Sequence, residues 1–103
     1  MAQIIWTEPA LEQLEAVIEY IALDNASAAS QLIAKVFLRV ERLADHPGSG
    51  RKPPELPRKS IFREIIVGPC RLFYFRDGEK VVVCHVMRGE RELRRFLLSS
   101  NVD

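Results

Sequence analysis

The second half of the chain contains three short runs of branched and aromatic residues separated by turn signals. The runs span residues 61–67, 70–76 and 80–86. Gly68-Pro69 separates the first two runs and Asp77-Gly78 the last two. Asp-Gly between two apolar runs is among the strongest short signals for a β-hairpin. The pattern predicts an antiparallel meander of three strands, which leaves the rest of the chain to cover one of its faces.

The first half has the periodicity of helices. After a short strand candidate at residues 3–6, Thr7 followed by Glu8-Pro9 has the composition of a helix start. Apolar residues then recur at steps of three and four in two segments: Leu11, Leu14, Ile18 and Ile21 in the first, and Ala29, Leu32, Ile33, Val36, Val40 and Leu43 in the second. Ser27 is the expected cap of the second helix. Because few residues separate them, the helices are predicted to form an antiparallel hairpin over residues 8–45.

Helices and strands in separate parts of the chain favour an α+β fold. We expect a single domain over residues 1–103, in which an N-terminal short strand and an antiparallel helical hairpin pack on a three- to four-stranded antiparallel sheet. A chain of 103 residues with 48% apolar residues can bury a core without metal or disulfide. No apolar run is long enough to span a membrane and residues 1–6 lack signal-peptide features, so a cytoplasmic protein without a membrane partner is expected.

The net charge of +1 conceals an uneven distribution along the chain. Residues 1–50 carry three bases against seven acids, net −4, whereas residues 51–103 carry twelve bases against seven acids, net +5. The loop at 47–60 alone holds four prolines and four bases, which predicts a stiff basic crossing. Basic surface binds acidic partners or nucleic acid, and the alternative is a pair of solvated faces.

Arginines also occur inside the predicted strands and in the C-terminal tail. Arg63 shares one side of its run with Ile61, Ile65 and Val67. In the next run Arg71 shares one side with Phe73 and Phe75. If the helices cover one sheet face, we expect Arg63 and Arg71 together on the other, as a basic and apolar surface that a partner covers. The tail holds further arginines with Phe96 interleaved: Arg88, Arg91, Arg94 and Arg95.

The cysteines and histidines do not form a recognisable site. Cys70 and Cys84 match neither a redox pair nor a zinc spacing, and both are expected to be buried thiols. Cys84 and His85 are adjacent in a strand, so their side chains are expected on opposite faces. We therefore expect no metal, no cofactor and no catalytic residue among them.

Several strings occur in the order and spacing of one family. They are Trp6-Thr7, IEYIALDNASAAS at 18–30, LADHPGSGR at 43–51, REIIVGPCRLFYF at 63–75 and VMRGERE at 86–92. On these strings the chain resembles the ParE branch of the RelE/ParE toxins of bacterial type II toxin-antitoxin systems. It departs from the commoner ParE pattern at Cys70, where a tyrosine is usual, and at Met87-Arg88, where a histidine precedes the glycine.

The resemblance implies a small α+β toxin that a cognate acidic, ParD-like antitoxin neutralises by direct binding in a hetero-oligomer. ParE-type members inhibit DNA gyrase, serve plasmid or chromosome maintenance and are not enzymes. RelE-type members are ribosome-dependent mRNA endonucleases. No membrane partner and no direct sequence-specific nucleic-acid binding are expected.

The residues favour the gyrase inhibitor over the nuclease. RNA cleavage needs a proton donor or acceptor as well as positive charge at the phosphate. Arg71 and Arg91 match arginines of the nuclease branch, but its C-terminal tyrosine falls here near Phe96 or Leu97. His85 keeps the nuclease alternative open. A differently targeted or inactive toxin and a nucleic-acid-binding module are further alternatives.

Two sets of binding residues follow from this reading. The antitoxin is expected to contact Arg63, Arg71, Phe73, Phe75 and Arg88. The target is expected to contact Arg88, Arg91, Arg94, Arg95 and Phe96.

Overall fold

The computed structural model describes residues 1–89 and contains four strands and two long helices. Their bounds are β1 Gln3–Trp6, α1 Glu8–Asp24, α2 Ala26–Glu41, β2 Arg63–Val67, β3 Cys70–Asp77 and β4 Lys80–Arg88, with a 3-10 turn at Arg42–Ala44 after α2. The predicted α+β arrangement of an N-terminal strand, two helices and a sheet is confirmed.

The sheet has the order β1-β4-β3-β2 and is mixed. β2 pairs with β3 and β3 with β4 in antiparallel fashion, as the turn signals predicted. β1 pairs with β4 in parallel, with Ile4 opposite Val81 and Trp6 opposite Val83. The sequence pattern did not indicate this parallel pair. It is possible because the chain between β1 and β4, which comprises both helices, the loop, β2 and β3, is long enough for a crossover.

Short polar side chains define the ends of the two helices. Thr7 caps α1 as predicted, since its Oγ1 accepts a hydrogen bond of 3.3 Å from the Ala10 amide. The cap of α2 is Asn25, whose Oδ1 accepts from the Ala28 amide at 3.0 Å, so the expectation of Ser27 was wrong. The Asn25 amide also bonds the Ile21 carbonyl, and one extended residue therefore both ends α1 and starts α2.

The hydrophobic core lies between the helical hairpin and one face of the sheet. α1 buries Ala10, Leu14, Val17 and Ile21, and α2 buries Ala28, Ala29, Leu32, Val36 and Val40. The sheet supplies Ile65, Val67, Cys70, Leu72, Tyr74, Val81, Val83 and Val86. Leu11 and Ile33, expected in the apolar stripes, are exposed because each stripe is centred one position away from them.

Two glycine turns and one bulge set the register of the strands. Gly68 and Gly78 take φ values of 56° and 58°, a conformation that other residues rarely adopt. The β3–β4 register shifts between Phe73 and Tyr74, which leaves Cys84 as an extra residue in β4. α1 satisfies polar groups around this bulge, since Thr7 Oγ1 donates to the Cys84 carbonyl and Gln13 Oε1 accepts from the Val86 amide at 2.7 Å.

Within residues 1–89, no helix combines the length and apolar character that crossing a membrane would require.

Candidate protein-interaction site

The sheet face that points away from the helices is not covered by either helix, and we call it the open face. Residues directly opposite each other in neighbouring strands share a face. Register therefore places the following residues on the open face: Ile5, Glu64, Ile66, Arg71, Phe73, Phe75, Val82, His85 and Met87. Most are partly or fully exposed. The open face thus combines aromatic and aliphatic side chains with one strand-borne arginine.

Two carboxylates hold Arg71 on this face, close to the β2–β3 turn. Its Nε donates to Glu64 Oε2 at 2.8 Å, and its Nη2 lies 2.6 Å from the same oxygen. Nη1 and Nη2 donate to the two oxygens of Glu55 at 2.7 and 3.0 Å. The hydrogen bonds to Glu55, followed by those to Glu64, raise the pKa of Arg71 above its ordinary value. The guanidinium is therefore permanently charged and fixed in orientation.

Glu64 is a buried carboxylate on a face that is otherwise accessible. Its side chain has no exposed surface, and its Oε1 accepts from Arg51 Nε at 2.6 Å. A buried charge is costly unless it is paired and hydrogen-bonded, and here both oxygens have arginine donors. Glu64 was not predicted as a site residue. The nearest signal in the sequence was its position inside the predicted strand, between Arg63 and Ile65.

The basic loop is attached to the edge of the sheet at Arg51. The Arg51 amide donates to the Glu64 carbonyl at 3.0 Å, and the Glu64 amide donates to the Arg51 carbonyl at 2.8 Å. These bonds form one isolated antiparallel bridge on the outer edge of β2. The loop that follows then brings Glu55 against Arg71.

Arg63 does not join Arg71 on the open face, so that expectation was wrong. Arg63 lies opposite Tyr74, a residue of the core face. Its Nη1 donates to the Gly50 carbonyl at 2.8 Å. Side-chain alternation within one strand gives two faces but does not say which face meets the helices, and the β2–β3 register decides it.

Arg88 also lies on the helix side of the sheet. It pairs with buried Cys70, and its guanidinium carbon is 4.7 Å from the centre of the Tyr20 ring in α1. Of the five residues predicted to contact an antitoxin, the structure brings together Arg71, Phe73 and Phe75 and separates Arg63 and Arg88 from them. The predicted target residues Arg91, Arg94, Arg95 and Phe96 lie outside the described residues.

Aromatic contacts hold the remaining side chains of the open face. Phe75 meets Phe62 of the loop edge-on, with ring centres 5.8 Å apart. Phe73 makes a similar contact with His85 at 5.9 Å, and the Arg71 guanidinium carbon lies 5.1 Å from the Phe73 ring centre. Arranged in this way, the face offers aromatic edges around a fixed positive charge, a composition typical of protein-binding surfaces.

Comparison with known protein families gives one match over residues 4–93, to the model described as the ParE toxin of the type II toxin-antitoxin system parDE. The chain belongs to the ParE toxin family. It is therefore a type II toxin-antitoxin toxin, as the resemblance implied.

Two relatives named as toxins are similar to most of this chain, and one solved structure has the same fold. A Sinorhizobium fredii protein named "Putative toxin Y4kP" is 39% identical over 96 residues, covering 92% of this chain and 96% of the relative. A Caulobacter vibrioides protein named "Toxin RelE2" is 30% identical over 90 residues, covering 85% and 92%. The solved structure described as a chromosomal ParDE TA system from P. aeruginosa matches with a TM-score of 0.72 at 21% identity, covering 87% of this chain and 98% of that one, which supports the fold.

Neither tyrosine of this ParE-family toxin lies on the open face. The Tyr74 hydroxyl is buried, donates to the Pro47 carbonyl at 2.8 Å and accepts from the Gly50 amide at 2.9 Å. Burial also raises the pKa of Tyr74. Tyr20 lies in α1 beneath Arg88. Since the sequence contains two tyrosines in all, neither can serve as a proton carrier beside Arg71.

The other reactive groups of the toxin form no metal centre in residues 1–89. Burial raises the pKa of the Cys70 thiol to about 11 and also raises that of Cys84. Both cysteines are free thiols, and Cys70 is buried as expected whereas Cys84 is half-buried. No group of three or more His, Cys, Asp and Glu side chains there could hold a metal ion.

A cleft opens where the loop, the β2–β3 turn and the end of β4 meet. Its volume is about 290 Å³. Arg51, Arg71 and Glu55 form its charged side, and Pro54, Ile66 and Pro69 form its apolar side. It adjoins Arg71 and so belongs to the open face.

Proposed function

We propose that this toxin inhibits DNA gyrase without being an enzyme, and that a ParD-like acidic antitoxin neutralises it by covering the open face. The observation that carries the antitoxin part is the fixed cation Arg71 among the exposed aromatic side chains of that face. The planar guanidinium suits a carboxylate of an acidic partner, and the excess of bases in residues 51–103 speeds the association. Membership of the ParE family, whose description refers to parDE, supports the same partner.

The gyrase target is supported by family membership and by the positions of the tyrosines. A nuclease of the RelE type would need a proton-transferring side chain near the arginine that binds the phosphate. Tyr74 is buried in its hydrogen bonds to the loop, and Tyr20 lies on the helix side of the sheet. On this proposal the toxin acts in the cytoplasm, where gyrase acts on DNA.

The mRNA nuclease is the second candidate, because His85 lies on the same face as Arg71. His85 is exposed and contacts Phe73, so an imidazole is within the neighbourhood of the guanidinium. One relative is named toxin RelE2, which supports keeping this candidate. The arrangement supplies one proton carrier, whereas the reaction needs both a base and an acid.

Two assays with the purified protein separate the candidates. We expect inhibition of gyrase-catalysed plasmid supercoiling and no cleavage of mRNA on translating ribosomes. Cleavage of mRNA with normal supercoiling would instead select the nuclease, and a His85→Ala variant that abolishes cleavage would identify its proton carrier.

The C-terminal arginines are the proposed gyrase contact. Replacing Arg91, Arg94 and Arg95 with alanine should weaken supercoiling inhibition by about tenfold or more, since clustered arginines bind phosphate and acidic protein surface. The matched control replaces Lys35, Arg39 and Arg42 near the end of the helical hairpin, which removes the same charge. Equal loss of inhibition in both variants would argue against a specific role for the tail.

The antitoxin face can be tested with one added charge. Met87→Glu places a carboxylate on the open face, and Leu23→Glu places one at the exposed end of α1. The antitoxin for the assay is the protein encoded by the neighbouring reading frame, co-expressed with the toxin. We expect Met87→Glu to weaken its binding about tenfold and Leu23→Glu to change it little. Equal affinities would place the antitoxin elsewhere on the toxin.

A further inference from the structure

The outer edge of the Arg71 guanidinium is already occupied by a carboxylate of the same chain. Glu55 receives two nearly parallel hydrogen bonds from Nη1 and Nη2, at 2.7 and 3.0 Å. This is the bidentate arrangement by which arginine recognises a carboxylate. The hydrogen bond from Arg71 lowers the pKa of Glu55, which keeps this carboxylate ionised.

The two carboxylates that bind Arg71 differ in their burial and in the element that carries them. The Glu64 side chain is 0% exposed and is carried by β2, where Glu64 pairs with Phe73 of β3. The Glu55 side chain is 57% exposed and is carried by the loop, while Arg71 itself is 22% exposed. An exposed ion pair contributes little to stability, so Glu55 can leave Arg71 at small cost, whereas Glu64 cannot.

Removing Glu55 would leave a site that requires one negative charge. Arg51 and Arg71 carry two positive charges, and Glu64 and Glu55 balance them. With Glu55 displaced the cluster carries +1, and Arg71 cannot lose its proton to relieve the imbalance. A single incoming carboxylate restores neutrality, whereas a doubly charged phosphate would leave excess negative charge beside buried Glu64.

The adjoining cleft has room for the residue that would bring such a carboxylate. Its volume of about 290 Å³ is larger than the volume of a carboxylate group, and Ile66 and Pro69 give it an apolar wall. An Asp or Glu side chain with an apolar neighbour on an extended protein segment fits this combination of charged and apolar walls.

We propose that Glu55 is an internal substitute for a carboxylate of the antitoxin, and that binding exchanges one for the other on Arg71. This inference rests on the proposed antitoxin partner and adds the chemistry of one contact. In the free toxin Glu55 keeps the site filled, and the acidic segment of the antitoxin displaces the loop carboxylate to reach Arg71.

The first test measures antitoxin affinity after removal of Glu55. Glu55→Gln should bind the antitoxin of the neighbouring reading frame about two- to fivefold more tightly than the parent, because no internal carboxylate has to be displaced. Glu79→Gln is the matched control, since it removes the same charge at the β3–β4 turn, about 20 Å from Arg71 along β3. A gain in Glu55→Gln no larger than that in Glu79→Gln would overturn the proposal.

The second test needs no antitoxin and so separates this proposal from the proposed function. The NMR signal of the Arg71 Nε–H group is followed while acetate or inorganic phosphate is added at constant ionic strength. We expect acetate to shift this signal more in Glu55→Gln than in the parent or in Glu79→Gln, and more than phosphate does. Equal acetate shifts in all three proteins would refute the proposal that Glu55 occupies a carboxylate site, and a stronger response to phosphate would indicate a phosphate-bearing ligand instead.

Arg71→Lys completes the design. Lysine keeps a positive charge beside Glu64 but cannot form two parallel hydrogen bonds. In the Arg71→Lys protein, Glu55→Gln should give no gain in antitoxin affinity beyond that of Glu79→Gln. A gain of full size there would show that Glu55 acts through charge alone and would overturn the exchange on Arg71.

Discussion

The two faces of the sheet are held in place by different forces. On the core face, Leu72, Val81 and Val83 are fully buried against the helical hairpin, and the Tyr74 hydroxyl has both a donor and an acceptor. On the open face, Phe73, Phe75 and Met87 remain partly exposed, and ion pairs around Arg71 supply the order. One face is fixed by removal of apolar surface from water, and the other by charged hydrogen bonds.

Because of this difference, residues that stabilise the core alternate along β3 with residues of the open face. Successive residues of β3 alternate between the faces, so a change at one position affects the core and a change at the next affects the face proposed for antitoxin binding. Burial of apolar surface in the core offsets the conformational entropy that the chain loses on folding. Exposed ion pairs contribute little to stability and leave their groups available to a partner. The open face can therefore vary with its partner while the fold persists.

Truncating a large residue on each face should give the largest contrast. Leu72 is 1% exposed and Met87 is 41% exposed. Leu72→Ala should lower the free energy of unfolding by about 3 kcal/mol because it leaves a cavity, and Met87→Ala by less than about 1 kcal/mol. Urea unfolding followed by circular dichroism measures both. Similar losses would mean that the open face is not distinct from the core.

A glycine pair tests the point where the loop connects the two faces. A Cβ at Gly50 would lie 2.5 Å from the Tyr74 hydroxyl and 2.8 Å from the Glu64 carbonyl, whereas a Cβ at Gly48 has nothing within 4 Å. Gly50→Ala should lower the free energy of unfolding by about 2 kcal/mol, and Gly48→Ala should be neutral or slightly stabilising. Thermal melting compares the two. A neutral Gly50→Ala would show that the loop can move away from Tyr74.

Alkaline pH should act on the core face. Burial raises the pKa of Cys70 from 9.0 to about 11, so the unfolded chain loses this proton at lower pH than the folded chain. The contribution is fully present below pH 9 and is lost as the pH rises towards 11, by an amount on the order of 1–2 kcal/mol. Urea unfolding between pH 8 and 10.5 should show a smaller decline in Cys70→Ala. Parallel declines would mean that Cys70 is not the group responsible, and buried Tyr74 would then be the next candidate.

Acidic pH should act on the open face, with the smallest effect. Hydrogen bonding to Arg71 lowers the pKa of Glu55 below 4.5, so its contribution is present above pH 4.5 and is lost as the pH falls through the lowered value. NMR titration of the Glu55 carboxyl carbon should give a pKa below 4.5 in the parent and one closer to 4.5 in Arg71→Lys. Because the Glu55 side chain is largely exposed, little change in the free energy of unfolding is expected. Identical pKa values in both proteins would contradict the pairing.

The elements of the fold could be read from local sequence, because each depends on neighbouring residues. Three features could be predicted from a few neighbouring residues each. They are the cap at Thr7, the turn at Asp77-Gly78 and the alternation of Leu72 with Phe73. The parallel pairing of β1 depended on residues almost the whole chain apart and could not be read in this way. Asn25 was missed as a cap because it serves two helices at once.

The candidate site was predicted in part, and the errors have a common cause. Arg71, Phe73 and Phe75 were placed together correctly because one strand fixes their relative orientation. Arg63 was assigned to the wrong face because its placement required the register between two strands. Glu55 and Glu64 were overlooked because an acid in a basic segment looks like a solvated counter-charge until its partners are known.

The pairing of β1 with β4 also determines when the domain can be completed. Thr7 and Cys84, which are hydrogen-bonded to each other, lie 77 positions apart. Contacts of such long separation form late, after the cost of closing the intervening chain has been met. During synthesis, β1 therefore stays unpaired until β4 has been made. A ribosome-bound fragment that ends before β4 has no completed sheet, so the surface proposed to contact the antitoxin first exists after β4 has been synthesised.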